Sequence, residues 1–554
     1  VFDDEARTHC RNWIRRPDRV LADPFGDRTV RANMHPGYQS PDVIGPSGPV
    51  DPAVSVVMFR TPEGRPLAVL ANYSMHYFGA SPVSADYFGR FAARVGRLLR
   101  AKDGDRPCVA MMSQGTSGDQ HWMDYGRPKD NTTIESYSDA IADEVVAACR
   151  AIEFRPWVSL AMAESRVTLR RRTPDEKRLA WARPIVAAME GRIPRSQAEV
   201  YAREAIYLHE EPERELKLQA VRLGDLGIAA IPNEVFALSG LQIKARSPLP
   251  TTFVMELANG AEGYIPSPEQ HVLGGYNTWP ARTAALEVGA EPKIVALVLG
   301  LLEKVAEKPQ RLPEERHGPY ARAVLGSKPV AYWRLSEMSG GRAADATGQQ
   351  RTASFEGGVA LYLEGPASPA FSGETTKNRA IHLAGGHLVS RPLELGERTT
   401  VEFWFWNGLP NDARPVTGVL LSEAGAHVRS PTGPRLTIGG RHGRLVLIRD
   451  PHTPEGVQGV TEIAPRSWHH VAMVREGEKA VVYLDGKLDL SAPLVPEKTA
   501  GPKVIHIGGA PLQTDNLEGR IDEVAVYDRA LGIDEIRAHL GTVNEVPVRR
   551  EDCP

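Results

Sequence analysis

Cysteine is scarce, and what there is suits neither a metal site nor a disulfide framework. The four cysteines, Cys10, Cys108, Cys149 and Cys553, are scattered over 554 residues with no CxxC pair, which excludes a zinc-finger spacing. Cys108 and Cys149 fall in apolar strand and helix patterns and read as buried free thiols. An excess of one charge is also lacking. A net charge of −3 and a pI near 6.6 provide no basic patch for nucleic acid and no polybasic tract for a membrane surface. Nor does any stretch approach the roughly 18 consecutive apolar residues of a membrane-spanning helix. The chain opens at Val1 in a polar, irregular segment, without an initiator methionine.

What is present is the composition of a folded globular protein, 42% hydrophobic and 24% charged, at a length that predicts two or three domains. From Val54 to about Leu302 strands and helices alternate. Val54–Arg60 and Leu67–Tyr73 read as strands joined by the turn Thr61-Pro62-Glu63-Gly64. Phe88, Phe91, Val95 and Leu98 recur at helical spacing, Cys108–Met112 reads as a buried strand, and Ile141, Val145 and Ala148 mark another helix. Leu226–Ile231, Phe236–Ile243 and Thr252–Leu257 continue as strand, helix and strand. This order predicts an α/β domain, a mixed sheet with packed helices, over residues 1–304. The arginine-rich stretch Arg166–Arg214 reads as a helical insertion with solvated charges and no chemistry. Residues 305–318, charged and proline-bearing, read as a linker. Beyond them, short Val-, Ile- and aromatic-rich strands separated by Gly, Pro and Asp turns predict an all-β jelly-roll sandwich over 319–543, with a tail at 544–554. Asp485-Gly486 is a hairpin signal within it.

Three dispersed segments, Ala71–Arg90, Met111–Tyr125 and Ile231–Tyr276, each end an apolar, strand-like run in a polar cluster. His76, Asp119, Glu234 and Tyr264 sit just past these runs, and side chains at the carboxyl ends of neighbouring strands converge on one crevice in open α/β sheets. A His, a Glu and a Tyr around one crevice suit zinc. Each has a plainer alternative: a core histidine for His76, a helix N-terminal carboxylate for Glu234, a half-buried strand tyrosine for Tyr264, a turn cap for Asp119. His121 reads as a base, a proton donor, a ligand or a surface histidine. Asp345 and Asp522 are candidate calcium ligands in the jelly roll, with ordinary turn aspartates as the alternative.

Two resemblances are carried by these residues and their neighbours. AYWRLSE (Ala331–Glu337), DATG (Asp345–Gly348), VEFWF (Val401–Phe405), WHHVAMV (Trp468–Val474), VYLDGK (Val482–Lys487) and GRIDEVAVYDRAL (Gly519–Leu531) make the C-terminal part similar to the laminin-G-like, concanavalin A-type jelly roll. That likeness implies a glycan or surface ligand and a structural calcium. Residues from about Arg11 to Leu302 resemble the neutral/alkaline ceramidase superfamily of zinc amidases. ANYSMHYFG…SADYFGR looks like the family's strand with a zinc histidine and S-x-D helix start, IPNEVFALSG like its zinc glutamate segment, and NGAEGYIPSPEQ…GGY like its tyrosine segment. The resemblance implies His76, Glu234 and Tyr264 as zinc ligands and Tyr276 as a substrate-facing tyrosine. The family's H-T-H motif has no counterpart before His76, which implies a domain incomplete at its N-terminus and weak zinc binding by this chain. Export to the periplasm or beyond is expected, with any signal peptide upstream of this incomplete N-terminus. Where the family has G-D-V-S-P-N with its serine, this chain reads Gly118-Asp119-Gln120-His121.

Taken together, these features imply a zinc-dependent hydrolase of an amide or related acyl bond on a lipid-like or other acyl-amide substrate. Its machinery would be His121, Asp119 and Tyr276, and the jelly roll would be an accessory binding module. The competing expectations are a ceramidase-like protein that acts only through glycan or surface binding, and a hydrolase for an ester or sugar-linked bond.

Overall fold

The computed structural model describes residues 2–3, 7–81, 83–100, 108–312, 316–373, 377–426, 433–440, 442–450, 455–495, 501–510 and 515–545. The predicted tail is outside the described residues from 546 onward, and Cys553 with it. Two compact units are resolved, one of Val1–Arg15 and Val20–Pro313, the other of Arg16–Arg19 and Glu314–Pro554. Among the described residues no helix is long and apolar enough to cross a membrane.

In the first unit, the strands Ala53–Arg60 and Pro66–Tyr73 pair antiparallel, and Pro66–Tyr73 pairs parallel with Val109–Gln114. Parallel neighbours need a crossover, supplied here by the helix Asp86–Leu98. It buries Tyr87, Phe91 and Val95 against Ile141 and Val145 of the helix Ile134–Arg150. A second sheet pairs Leu160–Arg170, Glu213–Leu223 and Leu226–Ala230 antiparallel, then Thr251–Met255 parallel to the last. The helix Ala290–Ala306 packs Ile294, Val298 and Leu302 into the same core as Leu216, Leu218 and Ala220. The two sheets meet edge to edge: Asn72 Nδ2 donates to Val254 O at 2.9 Å and Glu256 N to Gln114 O at 3.1 Å. The carboxyl ends of Pro66–Tyr73, Val109–Gln114, Leu226–Ala230 and Thr251–Met255 therefore open on one region.

Several expectations need correction here. Arg166–Arg214 is not a helical insertion throughout, because Arg166 and Arg214 lie on the long antiparallel pair and only Glu176–Ala187 and Gln197–Glu210 are helical. The strand Val109–Gln114 is not fully buried, since Val109 and Met111 turn outward on alternate positions. The start of the predicted linker is also tied down. Arg311 donates from its backbone to Arg246 O at 2.8 Å and from its side chain to Lys244 O at 2.9 Å.

The second unit contains two eight-stranded antiparallel sheets. At the centre of one, Arg398–Asn407 lies between Trp468–Glu476 and Glu518–Tyr527. Both faces of this strand are buried, because one face is also covered by helices that the strand pattern did not predict. Tyr320 of Pro319–Gly326 and Ile536 of Ile533–Glu545 share a core with Trp404, Val474 and Tyr527. The Asp485-Gly486 hairpin joins Lys479–Leu484 to Lys487–Pro493, both turn residues having positive φ (49° and 72°) as a type I′ turn requires.

Candidate active site

His76 follows the strand Pro66–Tyr73 on a loop that two carboxylates hold. Upstream, the buried Asp51 accepts from the buried Ser74 Oγ at 2.9 Å and from the half-buried Lys244 Nζ at 2.7 Å. Downstream, Asp86 accepts the backbone N–H groups of Phe78, Gly79, Ala80 and Tyr87 at 2.6–3.0 Å. Burial raises the Asp86 carboxyl, but those four donors outweigh it and keep it below its ordinary value. The loop is thereby fixed from both sides.

Glu234 is placed by a short parallel pairing with Tyr264 and by the close approach of the Ser117-Gly118-Asp119 turn. Gly118 N donates to Val235 O at 2.8 Å, and a Cβ at position 118 would meet Glu234 O at 2.8 Å, so only glycine fits there. Across the crevice, His76 Nε2 lies 3.7 Å from Glu234 Oε2. The buried Tyr264 Oη accepts from Arg11 Nη2 at 3.1 Å, and the same nitrogen donates to Gly118 O at 2.8 Å and lies 3.8 Å from Glu234 Oε2. Desolvation of the phenol, with Glu234 alongside, pushes the Tyr264 pKa well up. Three of the expected residues, His76, Glu234 and Tyr264, thus share one crevice, and Arg11 is an unforeseen fourth member.

His121 joins the cluster from the strand Gln120–His121, which pairs with His9–Cys10. Its ring stacks toward His76 at 6.2 Å between centroids and meets His35 edge-on at 5.1 Å. Burial, followed by the neighbouring His35, Arg11 and His76, lowers its pKa to about 2. The imidazole is thereby held neutral at ordinary pH, one ring nitrogen bearing a lone pair and the other an N–H. Nδ1 of His76 and Nδ1 of His121 are both buried without a hydrogen-bond partner. His35 was missed in the sequence. It has left-handed backbone (φ 53°), donates its N–H to Arg11 O at 3.0 Å and contacts Tyr125 Oη through Nδ1.

Asp119 is buried and turned to the scaffold. Its Oδ1 accepts from Ala237 N at 2.8 Å, at the start of the helix Ala237–Arg246, and from Gln120 Nε2 at 2.9 Å. Burial raises its pKa to about 6 despite those bonds. A second carboxylate, Glu256, was also overlooked. Nothing but protein surrounds it: Ser117 N donates to it at 3.1 Å, Val235 N at 2.8 Å, and Ser117 Oγ as well. Desolvation raises its pKa to about 8.

Tyr276 lies 5.9 Å from Tyr264, edge to face, and is partly exposed. It lines a cavity of about 740 Å³ that also reaches Glu234, Tyr201, Trp279 and Arg282. A smaller cavity of about 300 Å³, walled by Leu21, Val30, Ala32 and Met34, shares Tyr276 and Trp279 with it. No group of three or more His, Cys, Asp or Glu among the described residues has metal-holding geometry. The third donor beside His76 and Glu234 is a tyrosine oxygen.

The calcium candidates Asp345 and Asp522 each have partners within the protein. Asp345 spends its oxygens on donors, accepting from Tyr332 N (3.2 Å), Thr347 N (3.0 Å), Thr347 Oγ1 (2.8 Å) and Arg351 N (2.9 Å). Asp522 accepts from Asn378 Nδ2 at 2.6 Å, and burial with Glu523 next to it raises its carboxyl. The first is a turn organiser and the second a buried polar contact.

Residues 383–537, less than a third of the chain, match the family described as the concanavalin A-like lectin/glucanases superfamily. The second unit carries a concanavalin A-like jelly roll. Among solved structures, domain 4 of AbnA, an extracellular arabinanase from Geobacillus stearothermophilus, is similar at 16% identity, covering 39% of this chain and 98% of that one, with a TM-score of 0.30. The sialidase of Trypanosoma rangeli is similar at 15% identity over 40% of this chain and 34% of its own, TM-score 0.30. The binding domain of Botulinum neurotoxin DC is similar at 14% identity over 39% and 52%, TM-score 0.29. The chain thus spans about half of the toxin domain and a third of the sialidase. No curated protein sequence matches the chain. The family match leaves the first unit outside its limits, and no comparison supports the resemblance to the ceramidase superfamily.

Proposed function

We propose that the first unit is a metal-dependent hydrolase of an amide or related acyl bond, and that the jelly roll is an accessory carbohydrate-binding module of an exported protein. The observation that supports the enzyme is the 3.7 Å separation of His76 Nε2 and Glu234 Oε2. That gap is too long for a hydrogen bond. It is close to that between two ligands of one zinc, which at bond lengths of ~2.0–2.2 Å and tetrahedral angles lie roughly 3.3–3.6 Å apart. The imidazole nitrogen, carboxylate and phenol oxygen are a donor set zinc accepts, with His76, Glu234 and Tyr264 as holders. Bound there, zinc supplies Lewis acidity for a carbonyl and a water acidified toward ~7. The rest is done by the protein. Arg11 fixes the Tyr264 hydroxyl, Glu256 holds the Ser117 turn against the strand bearing Glu234, and neutral His121 presents a lone pair to the same space. Tyr276, at the cavity mouth, orients the substrate.

The Arg11 contact favours a second reading. A buried guanidinium 3.8 Å from Glu234 can replace the metal's charge and leave a catalytically silent unit that works through its jelly roll. Elemental analysis of the full chain after zinc loading separates the two, alongside hydrolysis of amide and ester probes with and without chelator. Zinc uptake on loading, lost in Glu234→Gln, and chelator-sensitive hydrolysis are expected. Protein that takes up no zinc and cleaves no probe would leave the silent reading.

A further inference from the structure

The 740 Å³ cavity beside Glu234 has a composition that narrows the substrate, an assignment that rests on the hydrolase reading of the first unit. Its size is that of a small-molecule site, ~300–1,000 Å³. Its walls contain three arginines and three glutamates, Arg171, Arg214, Arg282, Glu204, Glu234 and Glu262, and so are balanced in charge. Each arginine is already engaged: Arg171 with Glu211 at 2.8 Å, Arg214 with Glu262 at 2.7 Å, Arg282 with Glu204 at 2.8 Å. An anionic or cationic substrate finds no excess of counter-charge. A long alkyl chain laid here would strip water from three ion pairs without replacing their hydration, which is costly.

Three aromatic rings, Tyr201, Tyr276 and Trp279, also line the cavity, and Tyr264 joins their stack through Tyr276. Tyr264, Tyr276, Trp279 and Tyr201 form an unbroken edge-to-face ladder, with successive centroids 5.9, 5.8 and 5.7 Å apart and interplanar angles of 72°, 81° and 82°. It leads from the helix Gln197–Glu210 to the side of Glu234. Tyr276, the most accessible rung, is 38% exposed. Rings flanked by paired, hydrogen-bonding charges suit a ligand with flat C–H faces and a hydroxylated rim. Next to Tyr276 and Trp279, an open and mostly apolar recess of about 300 Å³, walled by Leu21, Val30, Ala32 and Met34 with Asn33 among them, takes a short acyl group.

We propose that the substrate is a neutral N-acylated sugar, its ring against the Tyr276–Trp279 rungs and its short acyl group in the apolar recess. The reaction is hydrolysis of the amide. The water oxygen bonds to the acyl carbon, the C–N bond breaks, and the nitrogen leaves as an amine with a proton from that water. The products are a free amino sugar and a short carboxylic acid.

The test uses the zinc-loaded full chain with N,N′-diacetylchitobiose, and N-octanoylsphingosine in mixed micelles as the lipid arm. Calorimetric binding of the sugar is read together with release of acetate or octanoate. Binding that weakens about tenfold or more in Tyr276→Ala and is retained in Tyr276→Phe, with acetate released, is expected. Sugar bound in that Tyr276-dependent way without cleavage of either amide supports the cleft and fails the hydrolase reading instead. Sugar binding indifferent to Tyr276→Ala belongs to another surface and overturns the proposal. So does cleavage of N-octanoylsphingosine with no sugar bound, which would leave the hydrolase standing with a lipid substrate. Absence of sugar binding altogether overturns it as well.

Discussion

Replacing Glu256 by glutamine isolates the cost of a buried charge under the crevice. The carboxyl is fully enclosed, and burial raises its pKa from 4.5 to about 8. The folded state therefore keeps a proton that the unfolded chain gives up above about pH 4.5. Stability from this group is complete below that pH and is lost as pH rises toward 8, at roughly 1.4 kcal/mol per unit. Between pH 5 and 8 the loss is roughly 3–4 kcal/mol. Glutamine keeps an acceptor for Ser117 N and Val235 N and an N–H for Ser117 Oγ, without the ionisation. The Glu256→Gln protein should match wild type near pH 5 and exceed it by a few kcal/mol at pH 8. Urea unfolding of both proteins in chelator, at pH 5, 6.5 and 8, measures the difference in the transition that the substitution moves. Glu256→Ala serves as the control, because it strands two buried N–H groups at about 1–3 kcal/mol each at every pH. If wild type instead gains on Glu256→Gln as the pH rises, the carboxylate is ionised in the fold and held by its donors, and the reasoning fails.

Other consequences are simpler to state. Glu402, enclosed in the jelly roll, accepts from Tyr527 Oη at 2.6 Å and faces His539 Nδ1 at 2.9 Å and His470 Nε2 at 3.3 Å. Glu402→Ala should cost about 3–5 kcal/mol by leaving those partners buried, and a thermal-unfolding change under ~1 kcal/mol would contradict this. Arg172 donates to Thr278 O at 2.7 Å, to Leu286 O at 3.1 Å and to Ala284 O, pinning the segment that carries Trp279. Arg172→Met should speed amide exchange over residues 276–286 and raise KM more than it lowers kcat, and an unchanged exchange pattern would remove that positioning role. His121→Ala should lower zinc occupancy or turnover without moving a limb of the pH profile between 5 and 8, because burial already keeps the ring neutral. A lost limb in that range would show that His121 titrates at work.

The C-terminal architecture was legible because its signals are local. Strand alternation, aromatic and β-branched runs and the Asp485-Gly486 turn each act within a few residues, and tertiary context agrees with them. Of the helices over one sheet, Pro319–Gly326 is a single short element whose Tyr320 shares a core with Trp404, a non-local contact outside the reach of a strand pattern. The misreading of Arg166–Arg214 had an available remedy. Within it, Val167 and Leu169 alternate with Arg166, Thr168 and Arg170, which is a strand period that the density of arginine obscures. On an antiparallel pair those charges simply face outward, Arg166 against Glu215 at 2.6 Å.

The crevice shows where a strand-end argument stops. It finds residues by their place in the local pattern, so His76, Glu234 and Tyr264 emerge, and by the same logic Glu256 was open to notice, since it ends the apolar run Thr252–Met255 just as Glu234 follows Leu226–Pro232. Nothing local distinguishes the two carboxylates. Their neighbours do: Glu256 meets three donors and no cation, whereas Glu234 has an imidazole and a guanidinium within 4 Å. Arg11 and His35 are invisible to such a rule for another reason. Arg11 reaches Tyr264 across 253 positions, and its importance lies wholly in the pairing. The electrostatic sum at Glu234, and with it the choice between a metal and a resident arginine, is therefore a property of non-local packing, which explains why zinc uptake by the folded chain is the measurement that decides the chemistry.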